Sequence, residues 1–411
     1  MSIQSAVGFE GLFTPEAEKW RDLLDQYAKE GTVEYFYSIS QKANLACSSG
    51  NYEEGVPLLN KAIELARTIE DSRRSEMMYQ SLSLSEGMLP MRSLFGIAPW
   101  SGDEVLQDAR DIESAFIRGA DNGMYAVNDY LFCGKRDKAE EMINLIHERR
   151  IRRLEQGGVM SRGLVLDAII PLFDGNFDKV IEILERLIED SRGTDVEPIN
   201  LSEAAFAGLR TVVYLGDTEE HRHRILWQVV REQGDTRTFR RFALYPAYFG
   251  QQDAANRTLD RLLERRPDIT TRKDLRPAWV DIMYLEAAIV VEHKKATELL
   301  YERFADNTLA TSGYHSPTCI ARHLGAAAAM LERYDEAREH YKEAIRVCTE
   351  MRFRPELALS ELGLAEVLLD HYPEEKAEAL EHLDFAIKEF REMKMQPSLE
   401  RSLRRKDILK A

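Results

Sequence analysis

The chain reads as an all-α solenoid, a stack of helical hairpins, and three observations predict it. Turn signals recur at intervals of 41 or 34 residues: Gly134 to Gly175 spans 41, Gly175 to Gly216 another 41, and Gly216 to Gly250 34. Each turn is followed by an apolar run of helical period, as with Val180, Leu184 and Leu187 after Gly175. Short apolar runs that would serve as strands are few, and none is flanked by hairpin-turn chemistry. Self-similarity at this period means that a hairpin buries its stripe of small residues only by stacking on the next one.

Taken in order, Thr14-Pro15-Glu16 is a helix start, and the helix it opens is expected to run to about Lys29, where Gly31 stops it. The first hairpin is expected over 35–67, turning at Gly50-Asn51-Tyr52, with Gly55, Leu59 and Ala62 on the inner face of its second helix. An irregular hairpin is placed at 82–121 with its turn in 96–103, and regular turns follow at Gly134, Gly175, Gly216 and Gly250. Another interval of 41 lands on Val291, a turn without its glycine just before His293-Lys294-Lys295-Ala296, and one more lands on Glu332. The last hairpin turns at His371-Tyr372-Pro373 and carries Ala379, Leu383 and Ala386. Forty-one residues give each helix of a pair room for roughly one turn beyond a 34-residue unit, at about 3.6 residues per turn. The expected organisation is a leading helix in residues 1–34 and a single repeat domain over 35–411, about nine hairpins in all.

The clearest unit is 316–350. Ser316 is placed as a cap and Pro317 at the first helical position, where its missing N–H is harmless. Ala321, Leu324, Gly325 and Ala328 then form a thin stripe, Glu332-Arg333-Tyr334-Asp335 breaks the helix, and Ala337, Tyr341, Ala344 and Ile345 continue the second one. The Leu324-Gly325 pair with Ala328, Tyr334, Ala337, Tyr341 and Ala344 resembles a tetratricopeptide (TPR) repeat. The resemblance extends from about Tyr35 onward and is strongest at 134–189 and 316–391. It implies a right-handed superhelix whose first helices line a concave surface that binds a protein or peptide. The tail, 353–408, is similar to the closing repeat of the TPR arm in large bacterial regulators that carry a nucleotide cyclase or DNA-binding head and a signalling ATPase. The matching residues are Leu362-Gly363-Leu364-Ala365-Glu366, the insert at 374–379, Ala386 and Met395-Gln396-Pro397-Ser398-Leu399-Glu400-Arg401. No Gly-x-x-x-x-Gly-Lys-Ser/Thr loop accompanies it, so the ATPase is not expected here, and no cyclase or helix-turn-helix segment fits.

Composition bounds the function. A net charge of −16 over 411 residues argues against generic nucleic-acid binding. Cys47, Cys133, Cys319 and Cys348 are scattered and read as reduced thiols of a cytoplasmic protein. The start, MSIQSAVGFEGLF, lacks a basic leader, and no segment approaches eighteen uninterrupted apolar residues, so neither export nor membrane insertion is expected.

Candidate sites are few. Residues 210–276 hold 14 Lys/Arg against 10 Asp/Glu, a local excess of four positive charges in an acidic chain. Repeat registration puts Arg210 and Arg240 on the concave side, with Arg237, Arg241, Tyr214, Tyr248, Arg276 and Trp279 as neighbours. Such a patch suits an anionic or aromatic partner, because arginine forks carboxylates and stacks on rings. The opposing reading is solvated arginines paired with Asp253 or Asp274. Asn44 sits where carboxylate-capturing TPR grooves place an asparagine, but Ser40 stands where the lysine belongs, which disfavours capture of a chaperone tail. Arg149-Arg150-Ile151-Arg152-Arg153 lies at a second-helix end without aromatic platforms and reads as surface. His315, Cys319 and His323 have a spacing of four, but Pro317 breaks the face and no fourth ligand follows, so no metal is expected. His221-Arg222-His223-Arg224 reads as an exposed helix start. No nucleophile elbow or His-Glu-x-x-His helix occurs.

The expected function is therefore a non-enzymatic interaction scaffold without cofactor, the docking or sensing arm of a bacterial regulatory system. The first alternative is a sensor that holds a small anionic ligand in the groove. The second is an α/α-barrel hydrolase with Trp100, Asp103 and Glu104 at its centre.

Overall fold

The computed structural model describes residues 15–48, 51–68, 102–117, 123–155, 164–194, 197–234, 243–271, 274, 278–304, 308–314 and 316–408. Among them the chain is all-helical, and its one extended pairing is an isolated antiparallel bridge between Thr311 and Cys319. The helices fall into two compact units, Met1–Asp129 with Leu275–Pro277, and Tyr130–Asp274 with Ala278–Ala411.

The first unit opens with α1 (Pro15–Tyr27), the leading helix that the Thr-Pro start predicts, and Gly31 turns the chain with φ +83°. The hairpin α2 (Val33–Ser48) and α3 (Tyr52–Thr68) closes on Asn51 N–H, which donates to Ala46 O at 2.8 Å. Val33, Phe36 and Ile39 from one helix and Ala62 and Ala66 from the other are buried together. Ser38 donates to Asp25, and Lys42 pairs with the same carboxylate at 2.9 Å, tying α1 to α2. Then come α4 (Gly102–Ile117) and α5 (Met124–Phe132), the latter straddling the boundary between units. Most of the irregular hairpin expected at 82–121, including Trp100, lies outside the described residues.

The second unit holds α6 (Arg136–Glu155), the short pair α7 (Leu164–Asp167) and α8 (Ile169–Phe173), α9 (Phe177–Ser191), α10 (Glu197–Leu215), α11 (Ile225–Gly234), α12 (Leu244–Tyr248) and α13 (Gln252–Arg265). It continues with α14 (Ala278–Val290), α15 (Lys294–Phe304), α16 (Ile320–Met330), α17 (Tyr334–Glu350), α18 (Arg354–His371), α19 (Lys376–Glu392) and α20 (Gln396–Ile408).

One closing geometry recurs at the turns. A residue in the left-handed region is followed by an N–H that reaches back five residues, which satisfies helix-end carbonyls in the Schellman manner. Lys135 N donates to Tyr130 O, Asn176 to Pro171, Gln251 to Pro246, His293 to Ala288 and Arg333 to Ala328, at 2.7–2.9 Å. The left-handed residue is Gly134, Gly175 and Gly250 at three of these turns, but Glu292 (φ +56°) and Glu332 (+62°) at the others. The turn expected at Val291 therefore falls one residue later. The same motif ends the second helices α17 and α19, through Arg352 (φ +50°) and Lys394 (+58°), where no glycine marks it.

The repeat signature has a packing cause. The Tyr341 ring lies against Gly325 of α16 and Gly363 of α18, where a Cβ would stand 2.9 Å and 2.3 Å from ring carbons. Ala337 is fully buried beside them on α17. An arginine at Ala337 overpacks that site, and its Tm should fall with a loss of at least ~3 kcal/mol. An unchanged melting curve would refute the register.

The cap assigned to Ser316 and Pro317 needs correction. Helix α16 starts at Ile320, with Cys319 as an extended N-cap. Residues before it run as a loop: Ser312 N donates to Thr318 O at 3.1 Å, and Ile320 N to Ala310 O at 3.1 Å. The same loop caps the preceding chain, with Ala310 N on Phe132 O at 2.7 Å and Thr311 Oγ1 on Leu131 O at 2.9 Å. These tertiary bonds outweigh the local preference of Ser-Pro for a helix start.

Within the second unit the hairpins also return on themselves. Gly134 lies against Ala310 and Met351, Gly175 against Met393, and Gly216 against Pro397, so turns early in the unit touch the junctions that follow α17 and α19. Phe173 and Phe353 stack with centroids 3.9 Å apart. Arg136 donates to the carbonyls of Met351 (3.2 Å) and Arg352 (2.9 Å), and Lys394 pairs with Asp178 at 3.1 Å. Partners 176–218 residues apart are four to five hairpins apart, so the superhelical turn closes after about five repeats.

Candidate functional site

Closure converts the concave face of the second unit into a cavity of about 770 Å³, lined chiefly by first helices α10, α14, α16 and α18 with the start of α20. At its inner end lie charges that no apolar helix tolerates singly. Arg210 sits in the run AFAGLRTVVYL of α10 and Glu286 in YLEAAIV of α14, and both are almost fully buried. Each neutralises the other. Arg210 Nη1 and Nη2 fork the carboxylate at 2.5 and 2.8 Å, and Tyr248 OH donates to the same carboxylate at 2.7 Å.

A second pair stands beside the first. Arg322 of α16 donates through Nε to Glu356 of α18 at 2.7 Å and through Nη2 at 3.1 Å. Glu356 also accepts from Tyr214 OH (2.5 Å), Thr318 Oγ1 (2.8 Å) and Cys319 N (2.7 Å). His323 Nε2 faces Thr318 Oγ1 at 2.7 Å and Arg322 Nη2 at 3.1 Å, which requires that nitrogen to accept.

The electrostatics follow from these contacts. Burial pushes the Glu286 carboxyl up, but Arg210, with Arg322 adding, outweighs it and holds the group well below the usual carboxylate range. Burial is likewise overcome at Glu356 by Arg322, leaving it at about 2. Burial and then Arg322 push His323 down to about 3, so it is neutral in the folded protein. Burial, with Glu356 and Glu286 respectively adding, pushes the hydroxyls of Tyr214 and Tyr248 up and keeps them protonated donors. The sign of the pH effect is the same for both acid-sensitive groups. The unfolded chain binds a proton at His323 below about pH 6.5 that the folded chain refuses down to about 3, so stability falls as pH drops through that window. Glu356 adds a second loss below about pH 4.5. His323→Gln should flatten the stability profile between pH 6.5 and 5 by ~1.4 kcal/mol per pH unit relative to wild type. Parallel denaturant titrations of the two proteins with indistinguishable slopes would contradict this.

Of the residues assigned from sequence, Arg210, Tyr214 and Tyr248 come together here, with the Arg210 guanidinium 5.7 Å from the Tyr214 ring centroid. The solvated pairing of Arg210 with Asp253 or Asp274 is corrected: its partner is Glu286, and Asp274 instead accepts from Arg266 at 2.6 Å. Arg237, Arg240, Arg241 and Arg276 lie outside the described residues, as does His315. The side chains of Trp279, Asn44, Glu104, Arg150, Arg152 and Arg153 are likewise not described. The exposed helix start assigned to His221 is also corrected. His221 is buried in the turn before α11 and stacks on Trp227 at 4.8 Å, while Arg222 and His223 stay exposed. Cys319 and His323 belong to the network around Glu356, and no cluster of three metal-ligating side chains occurs among the described residues. No helix among them is long and apolar enough to cross a membrane.

Glu286, Arg322 and Glu356 were not singled out from the sequence, and His323 was weighed there only as a metal ligand. Their signal was present in part: Glu286 is a lone carboxylate in an apolar helix, the counterpart of the lone Arg210.

The fold and the chamber define a TPR-like helical-repeat protein. Its sequence matches the profile of the family described as anaphase-promoting complex subunit 5 (ANAPC5) over residues 17–86 and 281–368. The first segment covers α2 and α3, and the second runs from α14 into α18 and contains Glu286, Arg322 and Glu356. No curated protein matches the chain.

Proposed function

We propose that this chain is a non-enzymatic interaction scaffold, a subunit that holds protein partners in a larger assembly. The observation that carries the reading is the similarity to a family of complex subunits in two separate segments, one in each compact unit. The chemistry of the chamber supports it. Both inner carboxylates are locked onto arginines and held ionised, which suits a rigid frame better than acid–base work. In its finer form the proposal is a docking or sensing arm of a bacterial regulatory system in the cytoplasm, which rests on the likeness of the tail to bacterial TPR arms. Arg237, Arg240 and Arg241 are then the proposed contacts to a protein or peptide.

The test is reciprocal purification from the native host at endogenous level, through an affinity step and a size-separation step. A protein retained at fixed stoichiometry, and captured again when it carries the tag itself, is the expected result. Its loss on Arg240→Glu would place the contact. Elution of the endogenous chain at its own mass, with no stoichiometric companion, would contradict the scaffold reading.

A further inference from the structure

Two arginines of the chamber use only part of their donor capacity. Arg322 is engaged through Nε and Nη2, on Glu356, Thr318 and His323. Arg401, at the rim on α20, engages Glu366 in the same way, through Nε at 2.8 Å and Nη2 at 2.5 Å. In both, Nη1 has no partner among the described residues, and both side chains line the cavity. Tyr341 lines it as well, between Gly325 and Gly363, and its hydroxyl is also without a partner there. Arg322, Arg401 and Tyr341 thus bring their unused donors to the lining of one cavity. The walls around them are apolar, built by Val212, Ile289, Leu359, Leu362 and Val367.

We propose that the chamber binds a small monocarboxylate with an apolar body, its carboxylate received by Arg322 Nη1, Arg401 Nη1 and the Tyr341 hydroxyl. Unused guanidinium N–H groups and a phenol lining one cavity suit a planar, two-oxygen anion. Charge balance limits the ligand to one negative charge. Arg210, Arg322 and Arg401 are matched by Glu286, Glu356 and Glu366, and the lining Asp217 and Asp370 by Arg231 and Arg405, so the lining is balanced, a monoanion adds one net charge and a dianion adds two. The volume of about 770 Å³ falls within the range of small-molecule sites, roughly 300–1,000 Å³. This site is independent of the scaffold reading: a partner-bound and a partner-free chain contain the same chamber.

The experiment uses phenylacetate and 4-methylpentanoate, each against its amide, on the full chain at neutral pH. Binding is read by saturation-transfer NMR and by titration calorimetry at up to ~5 mM ligand. The acids should bind and the amides should bind at least ~10-fold more weakly. Arg401→Gln should weaken the acids ~10-fold. That variant folds, because the Arg401 side chain is 62% exposed and its removal strands no buried charge. Tyr341→Phe, which deletes one hydroxyl from a packed ring, should weaken them about threefold to tenfold. Acids and amides binding alike would overturn the proposal. So would variants that bind as wild type does while melting as wild type does, or neither acid binding at ~5 mM.

Discussion

Glu286→Leu should destabilise the protein by ~3–5 kcal/mol, a loss far larger than an exposed glutamate would give. The substitution leaves the Arg210 guanidinium, about 1% exposed, with no counter-charge, and it strips Tyr248 OH of its acceptor. The Arg210→Met change made alone should be similarly harmful, for the mirror reason. Made together, the two changes should recover most of the loss, because a buried ion pair offsets little more than its own desolvation and an apolar pair of similar volume packs in its place. Denaturant unfolding of the four proteins in a double-mutant cycle measures the coupling directly. Additive losses would mean that the two side chains do not form the pair described.

Arg136→Met should cost about 2–4 kcal/mol and act on a defined region. Arg136 is buried and holds five groups at once: the carbonyls of Met351 and Arg352, the carboxylates of Asp174 (2.7 Å) and Glu140 (2.5 Å), and the face of Phe173. Those carbonyls lie at the C-terminal end of α17, where no intrahelical donor remains for them. The variant strands them and loosens the contact between the early turns and the late junctions. Hydrogen exchange should rise at residues 134–140, 172–178, 350–356 and 392–397. It should stay as in wild type in α14 and α15, which Arg266 and Arg303 pin through buried Asp281 at 2.5–2.8 Å. Arg352→Ala removes exposed pairs to Asp137 and Glu140 at the same seam and should change stability by no more than ~1 kcal/mol. Uniform loosening of the whole unit in Arg136→Met would mean that the residue is not a local clasp.

Much of the architecture was legible because it is written locally. A left-handed turn between two helices favours glycine, so Gly134, Gly175 and Gly250 announced their positions, and constant spacing carried the register on to Glu332. The small residues of the stripe were legible for the same reason: Tyr341 needs Gly325 and Gly363 on either side of its ring. Where tertiary bonds decide, the local signal failed. Ser316-Pro317 has the chemistry of a helix start, yet the Thr311–Cys319 bridge and the bonds to Leu131 and Phe132 hold it as a loop. Arg352 and Lys394 take left-handed conformations with no glycine to show it, at the junctions that the early turns meet.

The site was legible by half. A local excess of positive charge and the repeat register marked Arg210, and Tyr214 and Tyr248, named as its neighbours, lie beside it and its partner Glu286. The partner lay 76 residues on in a different helix, and nothing in the spacing linked the two. Glu356 was harder still. It follows Arg354-Pro355 in a first turn, where acids ordinarily stay in water. Stacking on the preceding hairpin gives it Arg322 and Thr318, and the distant α10 adds Tyr214.

The central claim is that closure, because it turns an open groove into a chamber and makes buried residues of what an extended array would leave in solvent. It is tested most directly by a distance across the seam. Asp178 and Lys394 are exposed, pair at 3.1 Å and lie 216 residues apart, so cysteines there carry spin labels without disturbing the core. Cys47 and Cys133 are replaced by serine, and the buried Cys319 and Cys348 are left in place. Double electron–electron resonance should give one narrow distribution below ~25 Å, the reach of two labels on adjacent side chains. An open stack of five hairpins, with neighbouring helices about 8–10 Å apart, would separate the labels by ~50 Å. A distribution centred there would contradict the closed turn and the chamber with it.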